Sequence, residues 1–328
     1  MKDNKKIVNK YEYPDFLASA LAIHGSVTPK VLKQVFVVTL YACFISLLSL
    51  CIPWLAIPIS PFEYAGLVMG LILVFRINAG YDRWWEARKL WGTVVNNSRN
   101  LAIIINNYVS STEKHSIQQL MGYIAAIPYL MKNNLRMDES VKEVQHLVSP
   151  TTLEELSKIV HKPNFISSKV AGLLSLLLKE NKMNEFSFLK AEECRETLID
   201  CQGACERILK TPMPFVMAIK SRRFILLFLL ILPIALVDYS IVINPLVTAL
   251  VAYALFSLDQ IGIELQNPFS PERLSHLPLG DICRGIEMNV MEIYKNNGEQ
   301  GLPSSAQKIN KPENPYQSKK ARDFQTND

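Results

Sequence analysis

Residues 63–88, EYAGLVMGLILVFRINAGYDRWWEAR, set one carboxylate, Glu63, ahead of three large apolar side chains, Leu67, Leu71 and Phe75, at four-residue intervals. Such spacing lines them along one side of a helix, with Ala79 following. Each step drifts by about 40° at 3.6 residues per turn, so the stripe faces a single axis only if the helix is tilted or slightly curved. The chemistry open to this pattern is control of permeation. Apolar rings narrow and dewet a passage, and a carboxylate ring at its outer mouth concentrates cations. On a neighbouring face Gly66 and Gly70 form a GxxxG pair, which lets another helix backbone come close.

The uncharged part of this stretch, between Glu63 and Arg76, is about twelve residues, or about 18 Å of helix, against a hydrocarbon core of about 30 Å. A helix with charges so near both ends is tolerable where it is packed in protein or borders water, which describes a pore wall. The alternative is a buried helix whose charged ends snorkel, and periodicity alone does not choose between them.

The surrounding elements are those of a membrane protein. Of 328 residues, 49% are hydrophobic and they are concentrated in blocks. Residues 34–62 contain no charge, and 35–52 are long and apolar enough for a first span. Further runs lie at 224–237 and 239–258. With the pore stretch these predict four membrane segments in two hairpins. The connecting turns near 53–61 and 238–245 lack Lys and Arg, whereas both termini and the middle region are rich in them, so the termini and the middle are expected in the cytoplasm. Lys30 and Lys33 directly precede the first apolar run, which starts too far in for a cleavable signal.

The net charge of +5 is accounted for by cytoplasmic flanks and gives no reason to invoke nucleic acid. Six cysteines show no secreted disulfide spacing. Cys194, Cys201 and Cys205 share a helical face, for which packing in a core is the reading and a metal site the alternative.

In chain order, residues 1–33 form an N-terminal segment in which 15–26 suit a short amphipathic helix on the membrane surface. Residues 34–81 form the first membrane hairpin with the pore stretch. Trp84, Trp85 and Trp91, mixed with Arg83, Arg88 and Lys89, mark a membrane boundary, so one long helix should run from bilayer into cytoplasm. Residues 82–222 read as a cytoplasmic helical domain. Within it 116–131 are uncharged, yet short and interrupted by Pro128, and a fifth crossing would reverse the charge bias. Residues 223–265 hold the second membrane hairpin and 266–328 a cytoplasmic segment, with a polar tail from about Asn297.

The segments FRINAGYDRWWEARKLWG, NNSRNLA, TPMPF at 211–215 and PLVTALVAYALFSLDQIGIELQNPF resemble, in the same order, the bacterial branch of the bestrophin family. The resemblance covers most of the chain. It implies an all-α integral membrane protein with four membrane helices and a cytoplasmic helical domain. It further implies assembly as a homopentamer around a central ion pathway in the bacterial plasma membrane. The family's neck of three apolar residues at i, i+4 and i+8 corresponds to Leu67, Leu71 and Phe75, and its second, cytoplasmic constriction falls near Phe186. Where animal members carry a calcium-binding run of carboxylates, this chain reads SPERLSHLPL after Phe269 and offers only Glu272 and, later, Asp281. Calcium needs about six or more oxygen ligands, so no bound metal or other cofactor is expected. The function implied is a channel for monovalent ions, with chloride from the family and a sodium-type cation channel as the alternative. No phosphate loop, zinc-ligand pair or nucleophile motif supports the remaining alternative, a membrane-anchored enzyme or scaffold.

Overall fold

A computed structural model describes residues 16–20, 22–23, 25–52 and 57–298. Among these residues the fold is all-helical, without a strand. The elements are α1 (Phe16–Ala20), α2 (Thr28–Ser49), α3 (Ser60–Tyr108), α4 (Lys114–Leu135), a 3₁₀ turn at Lys142–Val144, α5 (Pro150–Lys158), α6 (Lys162–Lys179), α7 (Glu185–Lys210), α8 (Phe215–Ala235), α9 (Ile243–Glu264) and α10 (Leu279–Gly298).

The amphipathic helix expected over 15–26 is much shorter. Only Phe16–Ala20 is helical, and Gly25 at φ +81° turns the chain into a left-handed conformation before Ser26 Oγ accepts from Thr28 N at 3.1 Å. Pro53 of the expected outer turn and the tail beyond residue 298 lie outside the described residues.

The expected long helix is present as the uninterrupted 49-residue α3. Its two halves serve two cores. In the first half, Met69 and Leu73 pack with Ile225, Leu229 and Leu232 of α8 and with Ala252 and Leu255 of α9. In the second half, Ala87, Trp91, Val94, Leu101, Ala102 and Ile105 enter a larger core with α4, α6, α7 and α10. The centre of that core is α4. Residues Leu120–Met121 and Ile124–Ile127 on it are fully buried, so the uncharged stretch around Pro128 is enclosed by protein.

Three helices are long and apolar enough to cross a membrane: α2, α3 and α9. The fourth expected segment, α8, carries Lys220, Arg222 and Arg223 in its first half, which leaves an apolar stretch shorter than a bilayer. It is nevertheless built into the same bundle. Tyr41 OH on α2 donates to the Leu230 carbonyl on α8 at 2.8 Å. Within the α8–α9 connection, Asn244 Nδ2 donates to the Pro233 carbonyl at 2.8 Å, and Lys30 on α2 pairs with Glu264 at the end of α9 at 2.8 Å.

The expectation that Trp84, Trp85 and Trp91 all sit at a membrane boundary is corrected for Trp91. That side chain is fully buried in the larger core, where its bulk fills space between helices. Trp84 donates its indole N–H to the Ser275 carbonyl at 2.7 Å, and Trp85 stays exposed beside Tyr81.

Candidate functional site

The first half of α3 has two unlike faces. Met69, Leu73, Arg76 and Gly80 are buried against α8 and α9. On the other side Leu67, Leu71 and Phe75 are 75%, 55% and 60% exposed, with Glu63 exposed above them in the first turn. A carboxylate there is favoured by the positive end of the helix dipole. The four side chains predicted to line one face therefore do share it. Tyr64, Val68 and Val74 on the same half are 73%, 55% and 47% exposed as well, so the stripe belongs to a broader apolar surface left bare on a helix packed on its back.

Phe186 lies on a different element. It projects from the first turn of α7, 83% exposed, just after Asn184, whose Oδ1 caps the helix by accepting from Ser187 N at 2.8 Å.

Behind the apolar stripe stands a charge cluster that sequence reading missed. Arg76, one residue past Phe75, points to the back of α3, where its side chain is 2% exposed. Its Nη1 donates to Asp259 Oδ1 on α9 and to Ser221 Oγ on α8, the latter at 3.1 Å. Arg222 Nε donates to the other oxygen of Asp259 at 3.2 Å. Two guanidinium groups thus share one carboxylate, leaving one net positive charge, and Arg76 Nε and Nη2 have no partner. The signal in the sequence was a lone Arg76 ending an apolar run and a lone Asp259 ending another. Buried charges require partners, so the two could have been matched.

Beyond the apolar stripe α3 and α9 meet at two glycines. A Cβ on Gly80 would lie 3.1 Å from Leu265 Cβ and 3.5 Å from the Gly262 carbonyl, and one on Gly262 would lie 3.7 Å from the Arg76 side chain. The close approach of backbones is therefore here. At the GxxxG pair, Gly66 faces only the ring of Phe228 and Gly70 has nothing within 4 Å.

The profile described as Bacterial/Fungal Bestrophin protein matches residues 6–292, most of the chain. The chain belongs to this bestrophin family. Similar proteins include the voltage-dependent anion channel-forming protein alr2987 of Nostoc, 32% identical, over 84% of this chain and 90% of the relative. Another is mll4386 of Mesorhizobium japonicum, described in the same words, 30% identical over 89% and 94%. A crystal structure of a bacterial bestrophin homolog from Klebsiella pneumoniae superposes with a TM-score of 0.75 at 26% identity, covering 81% of this chain and 98% of that one.

In this bestrophin the segment after Phe269 is held by hydrogen bonds among its own residues. Asn267 Oδ1 accepts from Phe269 N and Ser270 N at 3.1 and 3.3 Å, which sets the turn. Glu272 and Asp281 are both exposed. The nearby buried carboxylate, Glu264, is already occupied by protein donors, namely Lys30 Nζ and Leu274 N at 2.8 Å and Gln260 at 2.7 Å. The cysteine stripe lies in the bestrophin's helical core, where burial pushes Cys201 up to about 11 and Cys205 up to about 12.

Proposed function

We propose that this chain is one subunit of a homopentameric channel in the bacterial plasma membrane, passing small monovalent ions and anions in particular. The observation that carries the reading is the bare stripe of Leu67, Leu71 and Phe75 on a helix buried along its back. Five such helices around an axis would cover the stripes only from the side and leave apolar rings facing a narrow lumen. Those rings form the neck and limit flow by narrowness and dewetting. Anions are favoured because the relatives are named for anion-channel formation. Those names describe transport and no catalysis, which disfavours an enzyme or scaffold.

In this reading α2, the first half of α3, α8 and α9 are the four membrane segments. Both termini and the helical domain, residues 82–222, lie in the cytoplasm. The exposed side chains of α2, such as Phe36, Leu40, Phe44 and Leu47, meet lipid. The charged first half of α8 is tolerated because Arg222 finds Asp259 inside the bundle. Phe186, exposed at the start of α7, forms a second constriction in the cytoplasmic part.

The test is ion flux into liposomes containing only this protein. Leu67, Leu71 and Phe75 replaced together by Ala should raise the flux. Unchanged flux through an assembled triple variant removes the neck assignment, and no flux from the wild-type protein favours the scaffold.

A second reading, a channel preferring cations, is favoured by one observation. Glu63 is exposed at the outer end of the stripe, where five carboxylates would draw cations and repel anions. Glu63→Gln is then expected to lower the cation preference, most clearly at low salt, where screening is weak. A reversal potential that stays put under those conditions takes Glu63 away from the mouth.

A further inference from the structure

The exposed face of α3 does not end at Phe75. The helix is unbroken from Ser60 to Tyr108, so its angular register carries straight past the neck. Asp82 is seven residues beyond Phe75, which places it within about 20° of Phe75 and about 10 Å further along the axis. From Asn78 onward this face changes character. Asn78, Asp82, Lys89 and Asn96 are exposed and polar there, beside the exposed aromatics Tyr81 and Trp85, where Leu67, Leu71 and Phe75 were exposed and apolar. A wholly apolar strip followed by one that carries charge on a single bare face fits a neck opening into water.

Asp82 also differs from the other carboxylates around it. Glu86 pairs with Arg207 at 2.9 Å, Asp259 with Arg76 and Arg222, and Glu264 with Lys30. The carboxylate of Asp82 has no partner among the described residues. Its neighbour Arg83 does not neutralise it. That guanidinium donates instead to three carbonyls, Ile208, Thr211 at 2.5 Å and Gln266 at 3.3 Å, and so is tied to the end of α7 and the segment after α9. The nearest free positive charge on the same face is Lys89, about 10 Å beyond Asp82 and about 20 Å beyond Phe75 at 1.5 Å per residue. With a Debye length of about 8 Å at physiological salt, Lys89 lies more than two Debye lengths from the neck and Asp82 little more than one, so Asp82 acts on it more strongly and most of all at low salt.

We propose that Asp82 is a specificity-determining residue: in the assembled channel it rings the inner end of the neck with carboxylates that favour monovalent cations over anions. This rests on α3 being the pore wall and on the second reading above, a channel preferring cations, in place of the anion preference. It makes ion sign a property of both ends of the apolar neck, Glu63 outside and Asp82 inside, rather than of the neck itself, whose side chains are uncharged.

The test is the reversal potential of the whole protein in lipid bilayers under a sodium chloride gradient. Asp82→Asn should lower the sodium-to-chloride permeability ratio by about threefold or more near 20 mM salt, and by much less near 500 mM, because screening removes the ring's field. Asp82→Glu should keep the wild-type ratio, and Asp82→Ser should repeat the Asn result if the Asn variant assembles poorly. A ratio that stays at the wild-type value in an assembled neutral variant overturns the proposal, as does an equal shift at both salt concentrations. The neck triple variant is run alongside. If its flux rises while Asp82→Asn leaves the ratio unmoved, only the Asp82 assignment fails. If its flux does not rise, the pore-wall reading itself fails.

Discussion

Asp259→Asn should be among the most damaging single substitutions in the membrane bundle, although Asn is nearly the same size. The carboxylate holds Arg76, whose side chain is 2% exposed, and also Arg222, whose side chain is 55% exposed. An amide keeps one acceptor oxygen but removes the negative charge, and leaves the Arg76 guanidinium buried with only neutral partners, that oxygen and Ser221. Arg222 can turn to water, and Arg76 cannot. Removing one partner of a buried pair costs about 3–5 kcal/mol, since the other charge stays desolvated. At about 2–4 °C per kcal/mol, the melting temperature in detergent should fall by about 6–20 °C. The double variant Arg76→Met with Asp259→Leu removes both buried charges and keeps similar volume, so it should recover most of that loss. Thermal scanning of purified wild type, single and double variants checks this. A single variant as stable as wild type, or a double variant less stable than the single, refutes the claim that burial of an unpaired Arg76 is what the network prevents.

Flux should persist in the presence of a calcium chelator, because Glu272 and Asp281 are exposed and Glu264 already holds Lys30. Flux lost on chelation and restored by calcium contradicts this. In the helical domain, Glu206 is desolvated by burial, yet hydrogen bonds from Gln202, His161 and Lys210 bring its carboxyl down to about 2 from an ordinary 4.5. A depressed acid stabilises the fold above its unfolded value, and that contribution is lost as pH falls from about 4.5 toward 2. Acid titration of the unfolding temperature should show that loss in the wild type and a smaller one in Glu206→Gln, and identical slopes would count against it.

What the sequence by itself determined is the set of features that repeat along one helix or need only composition. Four-residue spacing of Leu67, Leu71 and Phe75 suffices to put them on one face, because helix geometry is local. The long α3 was legible from the sequence and the all-helical class from the family resemblance, while charge and Pro128 argued against a fifth span at residues 116–131. Tertiary structure decided the rest. Trp91 reads like an interfacial anchor from its basic neighbours and is instead core, since only packing tells which side of α3 is covered at that level. Within the chain the close approach of α3 and α9 is made by Gly80 and Gly262, which come from segments nearly two hundred residues apart in sequence. Arg76 and Asp259 are similarly distant, and their pairing exists only once α3, α8 and α9 fold against one another. That same folding covers the back of α3 and leaves the stripe bare, which is the arrangement on which the channel reading depends.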